Sequence, residues 1–486
     1  MSILDLDAVT LAQKIADGQI SSAEATDTYI RHLQQINPKI NCLVENRFEE
    51  ARKEALEADR KVEEGRASGK LHGVPISVKE CFHVKGMKTT GGLPYRAGKI
   101  EQEDAYVIAR LKEEGAIILG KTNTPALCFC QETDNKHYGR TNNPWDLNKT
   151  SGGSSGGEGA LMAVGGAAVG LGADIGGSIR FPSHFNGVVG FKSGNNQVSQ
   201  QGNFPFIKID EQERMLGIGA MGKTVRDARL VNSIISDFTP NKVDLSSFTL
   251  TIPRKHPEFP LGEDTERIVE RFAEDFSGSH AVERQTPPFF EESSLIWQEI
   301  MSLDGGKGIT GLLSDKGNGS PLKEYMKEKM FKNSEIHYYL TWALIGTRLF
   351  KPNKKRVGEI REILHRGDIA LEEYFSQRIL VLPVYHSSAP LHGELYKQLF
   401  SIRKTFKVYM PYIAYANVWG LPSLVIPVAE DAEGMPLSIQ LISSTGNEEA
   451  LFQLGERFER QFRGYKRCTT YDRDTAELKN INLEPV

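Results

Sequence analysis

Cysteine is scarce: five in 486 residues, at positions 42, 81, 128, 130 and 468. An odd, scattered set does not make a disulfide framework in a chain of this length, so a reducing cytoplasm is the expected setting. Cys128 and Cys130 form a C-x-C pair, but no second pair of cysteines or histidines stands at zinc spacing, and no metal site is expected. Small buried residues are the simpler reading of that pair. Any run of about 18 apolar residues is also missing, which leaves no sequence signal for a transmembrane segment. The first residues, MSILDLDAVTLAQKIADG, carry acids where an export signal needs bases. Charge of one sign is lacking too. The 59 Lys and Arg against 63 Asp and Glu leave a net charge of -4, which implies no nucleic-acid or anionic-membrane partner.

What is present is an ordinary globular composition, 39% hydrophobic and 25% charged, in a chain long enough to bury a large core. Residues 8 to 65 read as helices, with Ser21 and Ser22 offering a cap before AEATDTYIRHLQQI. From 71 to 260 short apolar runs such as VPISVKECF and AIILG alternate with helical stretches, the pattern of an α/β sheet. Residues 285 to 410 are more polar and mostly helical in period, and SLVIPV and LSIQLIS then resume the sheet before a final helix. Glycine is concentrated between 152 and 194, where loops must take positive φ or approach another backbone closely.

Three literal motif matches fail on context. Gly115 to Thr122 fits a Walker phosphate loop, but its four intervening residues are apolar and strand-like, and Pro125 stands where the capping helix should run. G-x-S-x-G occurs twice between Gly152 and Gly157, yet a polar turn precedes it in place of a buried strand, and none of the 11 histidines sits in a recognisable site. The glycines of 170 to 176 nearly match a dinucleotide fingerprint, but the spacing is one residue too long and Pro182 interrupts the expected helix.

What remains is the stretch GGSSGGEGALMAVGGAAVGLGADIGGSIRFPSHFNGVVGFKSG, Gly152 to Gly194, with two serines, Ser154 and Ser178, 24 residues apart. LHGVPISVKECF upstream supplies Lys79, and GAIILGKTNTPAL, YGRTNNPWD and ANVWGLPSLVIPV add agreement. On these residues the chain resembles the amidase signature family, over most of its length outside 285 to 400. The catalytic core looks more like the fatty-acid-amide hydrolases than like the glutamine-amidase subunit of the tRNA-dependent amidotransferase. That subunit carries an acid seven residues before the asparagine of its N-x-x-G-L-P motif; here the position is Met410, seven before Asn417.

The resemblance implies an α/β fold with a central twisted mixed β-sheet covered on both faces by helices, and one domain over 1 to 486. Its parts would be an N-terminal helical layer (1–70), a catalytic core (71–260), a divergent helical insert (285–410) and a C-terminal sheet and helix (411–486). It also implies a hydrolase of linear carboxamides, acting without cofactor or metal on a small-molecule amide, with a homodimer left open. Ser178 would be the nucleophile, Ser154 the proton relay, following a cis peptide bond from Gly153, and a neutral Lys79 the general base. A lysine serves as base only if desolvation or its neighbours bring its pKa down from about 10.4. GVPISV reads as a buried strand and would provide that setting, whereas on the residues alone a surface lysine paired with Glu80 is simpler. Ser155 is expected to position Lys79 by hydrogen bonding. The backbone N–H groups of Ile175, Gly176, Gly177 and Ser178 are expected to form an oxyanion hole, with Asp174 and Arg180 as a loop-fixing ion pair. Cys128 is expected to wall the acyl pocket, joined by aromatics of the insert, Tyr338, Tyr339, Trp342 and Phe350, although ordinary helix packing is the simpler reading of any one of these four. The alternatives are the glutaminase subunit of an amidotransferase and a catalytically silent scaffold of this fold.

Overall fold

The computed structural model describes residues 2–255, 258–278, 280–400 and 406–472; Met1 and the end of the expected C-terminal part, 473–486, lie outside them. Among the described residues eleven strands form one mixed sheet. They are β1 (Leu43–Asn46), β2 (Pro75–Lys79), β3 (Ile117–Thr122), β4 (Val169–Asp174), β5 (Val189–Lys192), β6 (Gly217–Gly222), β7 (Thr249–Ile252), β8 (Val282–Arg284), β9 (Arg378–Pro383), β10 (Ser423–Glu430) and β11 (Pro436–Ile442). Their order is β1-β3-β2-β4-β6-β5-β10-β11-β9-β7-β8. β2 runs parallel to β3 and β4, whereas β4, β6, β5, β10, β11 and β9 pair antiparallel in succession.

Strand alternation explains why helices lie on both faces. In β4, Val169 shares a face with its cross-strand partner Gly222, which abuts Asp227 of the helix Val225–Ile235. The next residue, Gly170, points the other way, at Glu158 of the helix Gly156–Ala163. The central strands are buried throughout and read as continuous apolar and glycine runs because neither face meets water. The expected cap at residue 21 is present: Ser21 Oγ accepts from Glu24 N at 2.9 Å and opens the helix Ser22–Ile40.

Two elements depart from the expected layout. β1 falls in the N-terminal part, and β9 falls inside the segment read as a helical insert. β9 is buried between β11 and β7, so part of 285–410 belongs to the sheet interior. The helical period of the flanking Lys354–Tyr374 masked this short strand. The Walker-like segment is indeed strand: Lys121 lies in β3, fully buried, and donates to Thr89 Oγ1 at 2.8 Å.

The strand that carries Lys79 is fastened from below. The Glu158 carboxyl accepts from Ser77 Oγ of β2 and, at 2.7 Å, from Thr122 Oγ1 of β3. It fits only because the facing residue of β4 is glycine: a Cβ on Gly170 would stand 1.9 Å from Glu158 Oε1. Gly170→Ala should therefore displace the carboxylate and cost about 1–3 kcal/mol. Urea unfolding of G170A, E158A and the double variant checks this, since E158A removes the clash and the two effects should add to less than their sum.

Candidate active site

Three elements converge at the edge of the central strands. Lys79 ends β2, Ser154 and Ser155 precede the helix Gly156–Ala163, and Ser178 lies in the turn between β4 and the helix Arg180–Asn186. The Gly153–Ser154 peptide is cis. Both neighbours of that loop need glycine. A Cβ on Gly153 would come within 2.7 Å of the Cys130 carbonyl oxygen, and one on Gly157 within 2.3 Å of Asn123 N.

Lys79 is no surface residue. It is 1% exposed, and its Nζ donates to Ser154 Oγ at 2.6 Å and to the Ala173 carbonyl at 3.4 Å. Glu80, the expected surface partner, is itself buried and turned to the loop at 90, where Thr90 Oγ1 (2.9 Å) and Gly91 N (3.0 Å) donate to it. Thr90 N donates to it as well. Alternation along β2 sends successive side chains to opposite sides, so the charges adjacent in sequence separate in space.

Ser178 lies in the same cleft as Lys79 and Ser154. Among the described residues its hydroxyl makes no hydrogen bond with Ser154, so the lysine-to-serine link is formed and the serine-to-serine link is not. Ser155 differs from expectation. It does not bond Lys79 but shares an acceptor with it, Ser155 Oγ donating to the Ala173 carbonyl at 3.4 Å. Its N–H donates to the Ser178 carbonyl at 3.0 Å, tying the two serine loops together.

The turn at Ser178 is organised by one carboxylate. Asp174 accepts from the N–H groups of Gly177 (2.8 Å), Ile179 (3.1 Å) and Arg180 (3.3 Å), from Arg180 Nε (3.0 Å) and from Asn417 Nδ2 (2.9 Å). Arg180 continues to the Ile413 carbonyl at 2.9 Å and to Gln440 Oε1 at 3.1 Å. The expected ion pair is thus present, with both side chains fully buried. Burial alone pushes the Asp174 carboxyl up, but Arg180, Lys192 and Asn417 together hold it well below the ordinary carboxylate range. The same network reaches the expected oxyanion set. The Gly177 N–H donates to Asp174, whereas among the described residues those of Ile175, Gly176 and Ser178 have no such partner. Gly177 has positive φ (+94°), which glycine tolerates, and its donation to Asp174 is not something glycine spacing alone reveals.

Two clefts meet at Ser178. One, of about 170 Å³, is apolar and lined by Phe129, Trp297, Met301, Tyr339, Trp342 and Phe350 among others; the expected Tyr338 is not in its wall. The other, of about 310 Å³, contains Lys79 and Ser154 and reaches Phe204, Phe206 and Lys208. Cys128, expected as a pocket wall, lines both. Trp297 carries no signal in the sequence that marks it for the site. Its Nε1 donates to the Ile175 carbonyl at 2.8 Å, and its ring occupies the space that a Cβ on Gly176 would need.

The sign of the Asp174 contribution follows from its depressed pKa. Its stabilisation is fully present above the unfolded value of about 3.9 and is lost as the pH falls below it. Arg180→Ala leaves that carboxylate buried and unpaired and should cost about 3–5 kcal/mol at neutral pH. Urea melts measure it; a loss under about 1 kcal/mol would show that the pair does not anchor the turn.

Comparison with known proteins identifies the family. The family model Amidase matches residues 24–452. Fatty-acid amide hydrolase 2-B of Danio rerio is 31% identical over 492 residues, covering 95% of this chain and 90% of that protein. Indoleacetamide hydrolase of Bradyrhizobium diazoefficiens is 30% identical over 458 residues, covering 91% of this chain and 84% of that protein. Among solved structures, 6-aminohexanoate cyclic dimer hydrolase complexed with substrate superposes with a TM-score of 0.78 at 22% identity, over 96% of this chain and all of that one. The chain belongs to the Amidase family, the amidase-signature hydrolases of amide C–N bonds.

Proposed function

We propose that the protein hydrolyses small or apolar-chain carboxamides through a Ser178 acyl-enzyme. The observation that carries this reading is the buried 2.6 Å contact of Lys79 Nζ with Ser154 Oγ, opening onto the same cleft as Ser178. In this mechanism Lys79, as general base, takes the Ser154 proton while Ser154 takes that of Ser178, whose oxygen attacks the amide carbonyl. Contacts of this kind commonly close only when substrate is bound, which accounts for the open link between the two serines. The N–H groups of Ile175, Gly176 and Ser178 receive the developing oxyanion, each worth about 3–4 kcal/mol in the transition state. The amine leaves with the proton returned through Ser154. Water then attacks the ester by the same relay, releasing the acid.

The acyl chain occupies the apolar cleft, and the amine departs toward the cleft that holds Lys79. Each methylene buried there contributes about 0.8 kcal/mol, so the wall of Trp297, Met301 and Trp342 favours extended or aryl acyl groups over acetyl. The glutaminase reading has less support. Met410, where that enzyme has its acid, is fully buried, and its sulfur accepts from Gln131 Nε2 at 3.3 Å. A cytoplasmic location is part of the proposal and rests on five unpaired cysteines. Among the described residues no helix is long and apolar enough to cross a membrane.

A fluorophosphonate should label Ser178 in the isolated chain, and Ser178→Ala should lose both labelling and amide hydrolysis by about 10³-fold or more. Full hydrolysis by S178A would remove the nucleophile from this scheme. Cleft use is tested separately. Gly346 lines the apolar cleft with open space beyond its Cα. Gly346→Phe should lower kcat/KM about tenfold or more for long-chain amides and leave acetamide-sized substrates within about threefold, read from a chain-length series against one leaving group.

A further inference from the structure

The cleft that holds Lys79 and Ser154 is larger than a primary amide requires. A proton relay must reach the leaving nitrogen, so the amine half of a substrate lies on the side of Lys79 and Ser154. A primary amide leaves only ammonia there, and a cavity of roughly 10–15 Å³ holds one molecule of that size. The cleft on this side measures about 310 Å³, against about 170 Å³ for the one assigned to the acyl chain. Its wall includes the rings of Phe129, Phe204 and Phe206.

Phe204 is held as a platform. The guanidinium carbon of Arg96 stands 3.9 Å from the centre of its ring, and Arg96 is itself fixed by donating to the Thr89 carbonyl from Nε (3.2 Å) and a terminal nitrogen (3.1 Å). One edge of the ring rests on Gly91, where a Cβ would come within 2.7 Å of it. Gly91 is anchored in turn, its N–H donating to the Glu80 carboxylate at 3.0 Å. A cation over one face partly neutralises the ring's negative π surface, which favours stacking of an electron-rich ring on the other.

Asn203, beside Phe204, lines the same cleft and is only 8% exposed, and its Oδ1 is buried without a hydrogen-bond partner. Its backbone is fixed, with N–H donating to the Gln200 carbonyl at 2.9 Å and a strand bridge to Phe82. A buried carboxamide oxygen that finds no partner in the protein is a cost that a ligand hydrogen bond offsets. Rotation about χ2, which is soft in Asn, lets the group accept through Oδ1 or donate through Nδ2. Other polar groups of that wall are engaged. Asp304 accepts from the N–H groups of Gly306 and Gly308, both at 2.7 Å, and Gln212 Nε2 donates to the Ile300 carbonyl at 3.0 Å.

We propose that this cleft is a subsite for an aromatic amine, and that the preferred substrates are secondary amides whose amine half carries an aryl ring with a hydrogen-bonding group such as a phenolic hydroxyl. The ring stacks on Phe204, and the polar group pairs with the Asn203 carboxamide. The proposal rests on the reading of Ser178, Ser154 and Lys79 given above, because the relay is what distinguishes the amine side from the acyl side.

The test compares hexanamide with the hexanoyl amides of 2-cyclohexylethylamine, phenethylamine and tyramine on the full chain, the three amines being of similar basicity. The value of kcat/KM should rise about fivefold from the cyclohexylethyl to the phenethyl amide and about fivefold again to the tyramine amide, with hexanamide lowest. Phe204→Leu should bring the phenethyl and cyclohexylethyl amides within about twofold of each other, and Asn203→Leu should do so for the tyramine and phenethyl amides. Each variant is judged by the ratio of two substrates on one preparation, so a smaller folded fraction does not change the result. Should a leucine variant fail to fold, Phe204→Met or Asn203→Ser makes the same comparison. Equal rates across the three substituted amides, or a preference that survives its substitution, overturns the proposal while hydrolysis itself stands. If none of the amides is hydrolysed, the reading of Ser178 fails instead, and the affinities of the intact amides by calorimetry, expected in the same order, decide the subsite.

Discussion

The buried pair of Asp174 and Arg180 is the constraint on which the rest of the centre depends. A carboxylate taken fully out of water must collect donors from wherever it can, and Asp174 collects them from its own turn, from Arg180 and from Asn417. Those partners span the sheet. Asn417 precedes β10, and Arg180 reaches Gln440 of β11 and the carbonyl of Ile413. Satisfying one charge thereby locks the Ser178 turn to the C-terminal strands. It also engages the Gly177 N–H, whereas those of its neighbours on either side have no such partner among the described residues.

A second constraint is space. β2, β4 and the two serine loops approach more closely than side chains allow, and glycine supplies the room at the points that matter. Gly170 makes way for the Glu158 carboxyl that fastens the Lys79 strand, and Gly153 and Gly157 let the Ser154 loop sit against neighbouring backbone. The glycine-rich stretch thus works as a packing device that brings a lysine and two serine loops into one small volume. Beyond that volume the aromatic wall from Trp297 to Phe350 keeps one cleft apolar, and the polar groups face the other.

Much of this was legible because the signals are local. Strand patterning before Lys79 indicated burial, the apolar residues of 116 to 119 ruled out a phosphate loop, and Ser21 announced a helix start that is present. Other features depend on what lies opposite in space. Ser155 resembles a partner for Lys79 in sequence but bonds the carbonyl that Lys79 also uses. Gly177 counts as an oxyanion donor by spacing, yet Asp174 occupies its N–H. β9 was hidden because six residues between helical stretches carry too little period to be separated from them.

By itself the sequence determined the chemistry-bearing residue types, the α/β character of the sheet and the family resemblance, because composition, short-range period and motif spacing are written along one dimension. Only the tertiary structure decided which N–H groups remain unclaimed, that Lys79 faces Ser154 and away from Glu80, and that two clefts meet at Ser178. Those facts join residues tens to hundreds of positions apart. They are set by competition among buried polar groups for a limited number of partners, and that competition is resolved only when all the competitors are packed together.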